Sequence, residues 1–152
     1  MVPLFRMFPY RKLAVWRRAH ALSLAIHEVT ERVYRGRYAS LINQMRRASM
    51  SIAANIAEGS GQSTKLQFAR YLTISLDSAR ELDYHALLAK DLGILPLSDY
   101  ARLEARVDQV CRMIAVLRIR VLEEANSAGI RARSNQRPPV SPTSDFHRLP
   151  SG

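Results

Sequence analysis

The chain has 152 residues, 47% hydrophobic and only 7% aromatic, enough for one domain with a sizeable aliphatic core and too few for a comfortable pair. No apolar run approaches the roughly 20 residues that cross a bilayer, and a single cysteine, Cys111, excludes a disulfide within the chain. The net charge is +10, and 20 of the 23 basic residues are arginine, a balance that suits polyanionic or acidic partners.

Residues 1–12, MVPLFRMFPYRK, read as an N-terminal arm. Proline and arginine interrupt its apolar residues, so it lacks the apolar region and cleavage site of a secretory signal, and a cytoplasmic location is expected. Trp16, Ala19, Leu22, Ile26, Val29 and Val33 step by threes and fours, which predicts a first helix over 13–35, broken at Gly36. A second helix is predicted over 40–58, with Leu41, Met45, Ala48, Ile52 and Ile56 on one face and Gly59 ending it in the left-handed conformation. On the same helix Ile42, Arg46, Ser49, Ala53 and Ala57 form another stripe, whose small residues would admit a helix from a second copy, the alternative being one wide apolar stripe inside a monomer.

Thr64 and Gln67 make a capping box at the start of a third helix, predicted over 65–92. Its stripe is Phe68, Leu72, Ser75, Ala79, Leu82, Ala86 and Ala89; Gly93 and Pro96 follow as stop signals, and Ile74, Leu88 and Leu92 add apolar surface outside the stripe. Ser98 is placed to cap a fourth helix over 99–125, where Leu103, Val107, Val110, Ile114, Leu117 and Val121 repeat without a gap. Cys111 beside Val110 reads as a buried thiol. Residues 127–152 carry no apolar period and read as a disordered, basic, Pro/Ser-containing tail. Short connections between four helices over 13–126 predict an all-α domain, an antiparallel up-down-up-down four-helix bundle.

The charge is uneven along the chain. Residues 6–47 carry a balance of +8, residues 48–126 a balance of −1, and the tail +3. The excess gathers at the front, where basic residues alternate with aromatics: Arg6, Phe8, Tyr10, Arg11 and Lys12, then Arg17 and Arg18, and Tyr34, Arg35, Arg37 and Tyr38 at the far end of the first helix. Arginine binds phosphates in bidentate fashion and tyrosine stacks on unpaired bases, so Arg11, Lys12, Arg17, Arg18, Arg35 and Arg37 are candidate nucleic-acid contacts, joined by Arg46 and Arg47 on the second helix.

No catalytic constellation is present. Glu58 has no nearby nucleophile or second carboxylate in the pattern, and Asn55 flanks an apolar seam, so both are expected to tie the second helix to its neighbour or to the following turn. The stretch GSGQSTK, residues 59–65, departs from the phosphate-binding order G-x-x-x-x-G-K-[ST] and follows a helix rather than a strand. His20, His27, His85 and His147 are scattered singly, and neither a metal site nor a cofactor is expected.

Trp16, RRA at 46–48, NIAEG at 55–59 and the Phe68/Tyr71/Leu72 run, set within residues 5–93, resemble the four-helix-bundle proteins encoded in intervening sequences of bacterial large-subunit ribosomal RNA genes, a family to which some accessory proteins of diversity-generating retroelements are similar. The resemblance implies a barrel-like homopentamer, no established enzymatic activity and a role in binding nucleic acid. The expected function is a non-enzymatic homo-oligomeric scaffold that binds RNA or DNA through its basic surface. The alternative is an adaptor whose basic face docks an acidic protein, such as a nucleic-acid enzyme.

Overall fold

The computed structural model describes residues 8–33 and 36–135, and these form four α-helices with no strand among the described residues. The helices are α1 (Ala14–Val33), α2 (Ala39–Ser60), α3 (Lys65–Asp91) and α4 (Leu97–Asn135), with short 3-10 helices at Pro9–Lys12 and Gly36–Tyr38. None of the helices in the described residues is long and apolar enough to cross a membrane.

Each helix contributes the stripe that its periodicity dictates. Leu22 and Ile26 from α1, Ile52 and Ile56 from α2, Leu72 and Leu82 from α3 and Ile114 from α4 are all fully buried in one core. Burial of a side chain this size stabilises by about 1.5–3 kcal/mol, so this shared core is the main reason the helices hold together.

The second stripe of α2 does not face outward. Ile42, Ser49 and Ala53 are buried within this one chain, and the Ser49 and Ser23 hydroxyls meet across α1 and α2 at 3.3 Å. The expected small-residue face for a second copy is therefore occupied by α1. The cause is the position of α2, which packs against α1 on one side and α3 on the other.

Gly59 likewise has a different role from the one expected. The helix runs through it to Ser60, and Gly61 closes it with a right-handed backbone. A Cβ on Gly59 would lie 2.6 Å from the Tyr71 Cβ and 2.9 Å from the Phe68 ring, so the glycine serves close approach of α3. Small polar residues reinforce that contact: Ser75 donates to the Ile52 carbonyl at 2.8 Å, and the Ser51 and Ser78 hydroxyls are 2.8 Å apart.

At the start of α3 the Thr64 hydroxyl accepts from the Gln67 N–H at 3.2 Å, as the sequence predicts, whereas the Gln67 side chain accepts from Ser63 instead of completing the box. The end of α3 is closed by Gly93 at φ +72°, with Gly93 N–H to the Lys90 carbonyl and Ile94 N–H to the Ala89 carbonyl, both 2.9 Å.

Helix α4 departs from expectation at both ends. It begins at Leu97, with the Pro96 carbonyl accepting the Tyr100 N–H, so Ser98 lies inside the first turn and is not the cap. Asp99 in that turn is buried and takes Arg32 of α1 at 3.5 Å as well as Arg102. At the other end, residues 127–135, expected to be tail, continue as helix, although residues 126–134 bury nothing. Lys65 to Glu124, at 2.8 Å, ties α4 to the start of α3 near the last buried position, Val121. The rest of the expected tail, residues 136–152, and residues 1–7 of the arm lie outside the described residues.

A candidate nucleic-acid interface

The 3-10 helix Pro9–Lys12 starts on proline, whose fixed φ suits a helical first position, and it delivers Arg11 and Lys12 to the entrance of α1. Its open carbonyls are taken by Arg17, whose Nη1 donates to the Arg11 carbonyl at 3.2 Å and to the Lys12 carbonyl at 2.9 Å. Arg11, Lys12, Arg17 and Arg18 are all exposed. Among the described residues, no carboxylate lies within ion-pair distance of Arg11, Arg17 or Arg18. Arg80, Arg102 and Arg112 are neutralised, by Asp77, Asp99 and Asp108, while Arg47, Arg70, Arg106 and Arg120 are exposed without a carboxylate partner among the described residues but are spread over α2, α3 and α4.

A chain of rings runs beside this cluster. Phe8 meets Tyr10 edge-on at 6.1 Å, Tyr10 meets Trp16 edge-on at 4.8 Å, and Trp16 stacks on His20 at 5.1 Å with only 6° between the planes. The Arg11 guanidinium lies over both Phe8 and Tyr10, at 5.3 and 5.9 Å. The sequence reading missed His20. Its spacing of four from Trp16, which puts both on one face of a helix, is the signal that could have found it.

The remaining predicted contacts do not join this cluster. Arg37 is exposed, 5.4 Å over the Tyr38 ring, at the opposite end of α1, whose 20 residues span about 30 Å. Arg35 and Tyr34 lie outside the described residues. Arg46 is committed to the joint between α1 and α2: Nε donates to Thr30 Oγ1 at 2.8 Å and Nη2 to Glu31 at 3.1 Å. Arg47, its neighbour, is exposed.

Glu58 of α2 accepts from the Tyr71 hydroxyl of α3 at 3.0 Å. This hydrogen bond, and then the repulsion between the carboxylate and a phenolate, push the Tyr71 pKa above its ordinary value. The Asn55 amide stays within α2, donating to the Ser51 carbonyl and hydroxyl at 2.8 and 3.0 Å, and reaches α3 only through the Ser51–Ser78 contact. In the 59–65 stretch, Gly59 is used by packing and Lys65 by Glu124.

Cys111 is half-buried, lining a groove with Arg80, Asp83, Glu104 and Asp108. Burial pushes its thiol pKa up, against the pull of Arg80, which disfavours the nucleophilic thiolate. Among the described residues no three His, Cys, Asp or Glu side chains gather as a metal site.

Comparison with solved structures finds a protein of unknown function from the S23 ribosomal protein family of Bacteroides thetaiotaomicron, with a TM-score of 0.65 over 68% of this chain and 97% of that one. The two share 18% sequence identity, so the likeness concerns the fold. Comparison with curated proteins finds no match. The family model described as 23S rRNA-intervening sequence protein matches residues 11–116, a span that opens on the basic cluster and closes within α4. On that match, the chain belongs to the 23S rRNA-intervening sequence protein family.

Proposed function

We propose that this protein is a non-enzymatic scaffold that binds RNA or DNA through the basic surface at the entrance of α1. The observation that carries the reading is the clustering of unpaired charge. Arg11, Arg17 and Arg18 are exposed with no carboxylate partner among the described residues and stand together at the entrance of α1, whereas Arg80, Arg102 and Arg112 are paired and the unpaired Arg47, Arg70, Arg106 and Arg120 are spread over α2, α3 and α4. Unneutralised guanidinium groups release counterions from a phosphate backbone, and that gain needs no base sequence.

The scaffold is proposed to be an antiparallel up-down-up-down bundle that assembles into a homo-oligomeric barrel, a pentamer by the family resemblance. Support for assembly comes from exposed apolar side chains on α3, at its C-cap and on α4: Ile74, Leu92, Val116 and Ile119. Light scattering at micromolar concentration tests it: a mass of five chains is expected, and a monomer mass removes the assembly from the proposal.

Binding is tested by fluorescence anisotropy of labelled RNA and DNA over a salt series. The log-log slope is expected near −0.9 per neutralised phosphate for duplex DNA and −0.7 for single strands. Joint substitution of Arg11, Lys12, Arg17 and Arg18 by Gln should reduce affinity and slope, with helicity checked by circular dichroism because Arg17 also holds two carbonyls. The same substitution at Arg102, Arg106 and Arg112 is the control. If no nucleic acid binds at low salt, the surface is instead one that docks an acidic protein.

A further inference from the structure

We infer that the ring ladder makes this surface a reader of unpaired bases, so that its ligand is single-stranded RNA or DNA; the inference rests on the nucleic-acid reading above. The four rings are graded in exposure. Tyr10 and Trp16 are half-buried, and Trp16 packs against the core, while the outer rings are open, Phe8 being 46% exposed and His20 likewise exposed. The inner pair anchors the ladder to α1, and the outer rings, with Arg11 over one face of Phe8 and Trp16 stacked on one face of His20, are the part of the ladder that solvent reaches.

Such faces discriminate by strandedness. In a duplex both faces of an interior base are covered by its neighbours, and its edges are engaged in pairing. An unpaired base has a free π-face and gains by stacking on an aromatic ring, whatever the base is. The charge is placed to serve the same strand: the Arg11 guanidinium sits over the Phe8 and Tyr10 rings, and Arg17 and Arg18 lie on the turn of α1 that carries Trp16 and His20. A base on Phe8 or His20 therefore has a guanidinium group within reach of its own backbone phosphates.

Rigidity adds to the effect. Arg17 fixes the 3-10 helix by its carbonyls, and the near-parallel Trp16 and His20 rings hold each other, so little ordering is left for the ligand to bring about. Stacking of this kind is tolerant of sequence, and weak base preference is expected.

The test uses the full chain and a labelled mixed-sequence 20-mer as RNA, as DNA and as the duplex of each, at pH 8. Trp16 is the only tryptophan, so its fluorescence reports directly on the ladder. Single strands are expected to quench it and duplexes to leave it unchanged. Phe8→Ala and His20→Ala should each weaken single-strand binding about tenfold, with duplex affinity and salt slope unaltered, and Phe8→Tyr and His20→Phe should retain binding. RNA and DNA single strands should bind within about threefold of one another, because the ring face is blind to the 2′-hydroxyl. A strong preference for either that survives both alanine variants overturns the stacking. Equal affinity for single strands and duplexes, insensitive to both variants, also overturns it while the basic-surface reading stands. Absence of all binding at low salt overturns both.

Discussion

Gly59 and Tyr71 stand so close that a Cβ on the glycine would lie 2.6 Å from the Cβ of the tyrosine. The end of α2 therefore meets α3 at a separation that only a residue without a side chain allows. Gly59→Ala would gain up to about 1 kcal/mol of helix propensity but must push apart two helices that also share Ser75–Ile52 and Ser51–Ser78 contacts. Overpacking costs about 1–3 kcal/mol, so a net loss is expected, read as a lower urea midpoint by circular dichroism. An unchanged midpoint would show that α3 yields freely there.

Arg46 and Arg47 are adjacent in sequence and separable in role. Arg46→Ala removes the clamp on Thr30 and Glu31 and the packing of its stem, for an expected loss of about 1–2 kcal/mol in stability. Arg47→Ala, at an exposed position, should stay within about 0.5 kcal/mol of the parent. Urea unfolding of the two variants side by side decides the matter; equal losses would contradict the assignment of Arg46 to the joint.

The Glu58–Tyr71 hydrogen bond carries a pH signature. Because the Tyr71 pKa is raised in the fold, the pair favours folding below the ordinary tyrosine pKa, and that contribution disappears as pH rises through the raised value. Glu58→Gln removes the charge and should move Tyr71 ionisation back toward its ordinary range. A 13C-tyrosine NMR titration above pH 9 follows it, and an identical midpoint in the variant would exclude Glu58 as the cause.

Deletion of residues 127–152 should separate helicity from stability. The deletion removes residues 127–135 of α4, so ellipticity at 222 nm should fall modestly, yet residues 127–134 bury no side chain and the melting temperature should move by no more than a degree or two. A large drop in melting temperature would mean that those residues pack against something.

The inward stripes were legible because a 3.6-residue period is local information: Leu72, Ser75, Ala79 and Leu82 could be assigned to the core of α3 without knowing what covers them. Partnership is not local. The Ile42/Ser49/Ala53 stripe read as surplus because nothing in the order of residues says that α2 is flanked on two sides. Gly59 read as a cap because glycine near the end of a helix usually is one, and the distance to α3 that governs it is set by Phe68 and Tyr71, on the far side of the intervening turn. The last turns of α4 were invisible for the opposite reason: a helix that buries nothing leaves no period to detect. In the candidate interface, the excess charge was visible, but neither the diversion of Arg46 to Glu31 nor the stacking of His20 on Trp16 could be read without the fold.

The projecting end of α4 also has a mechanical meaning. The helix has 39 residues, about 58 Å, and beyond Glu124 its turns are sustained only by propagation from the turn before, each adding a backbone hydrogen bond without a new nucleus. Amide exchange should thus accelerate smoothly outward along one continuous rod instead of jumping at a hinge. A force applied near Arg131 or Arg133 would peel those turns one by one before it reached the Lys65–Glu124 pair, so the projection acts as a fuse that yields ahead of the core.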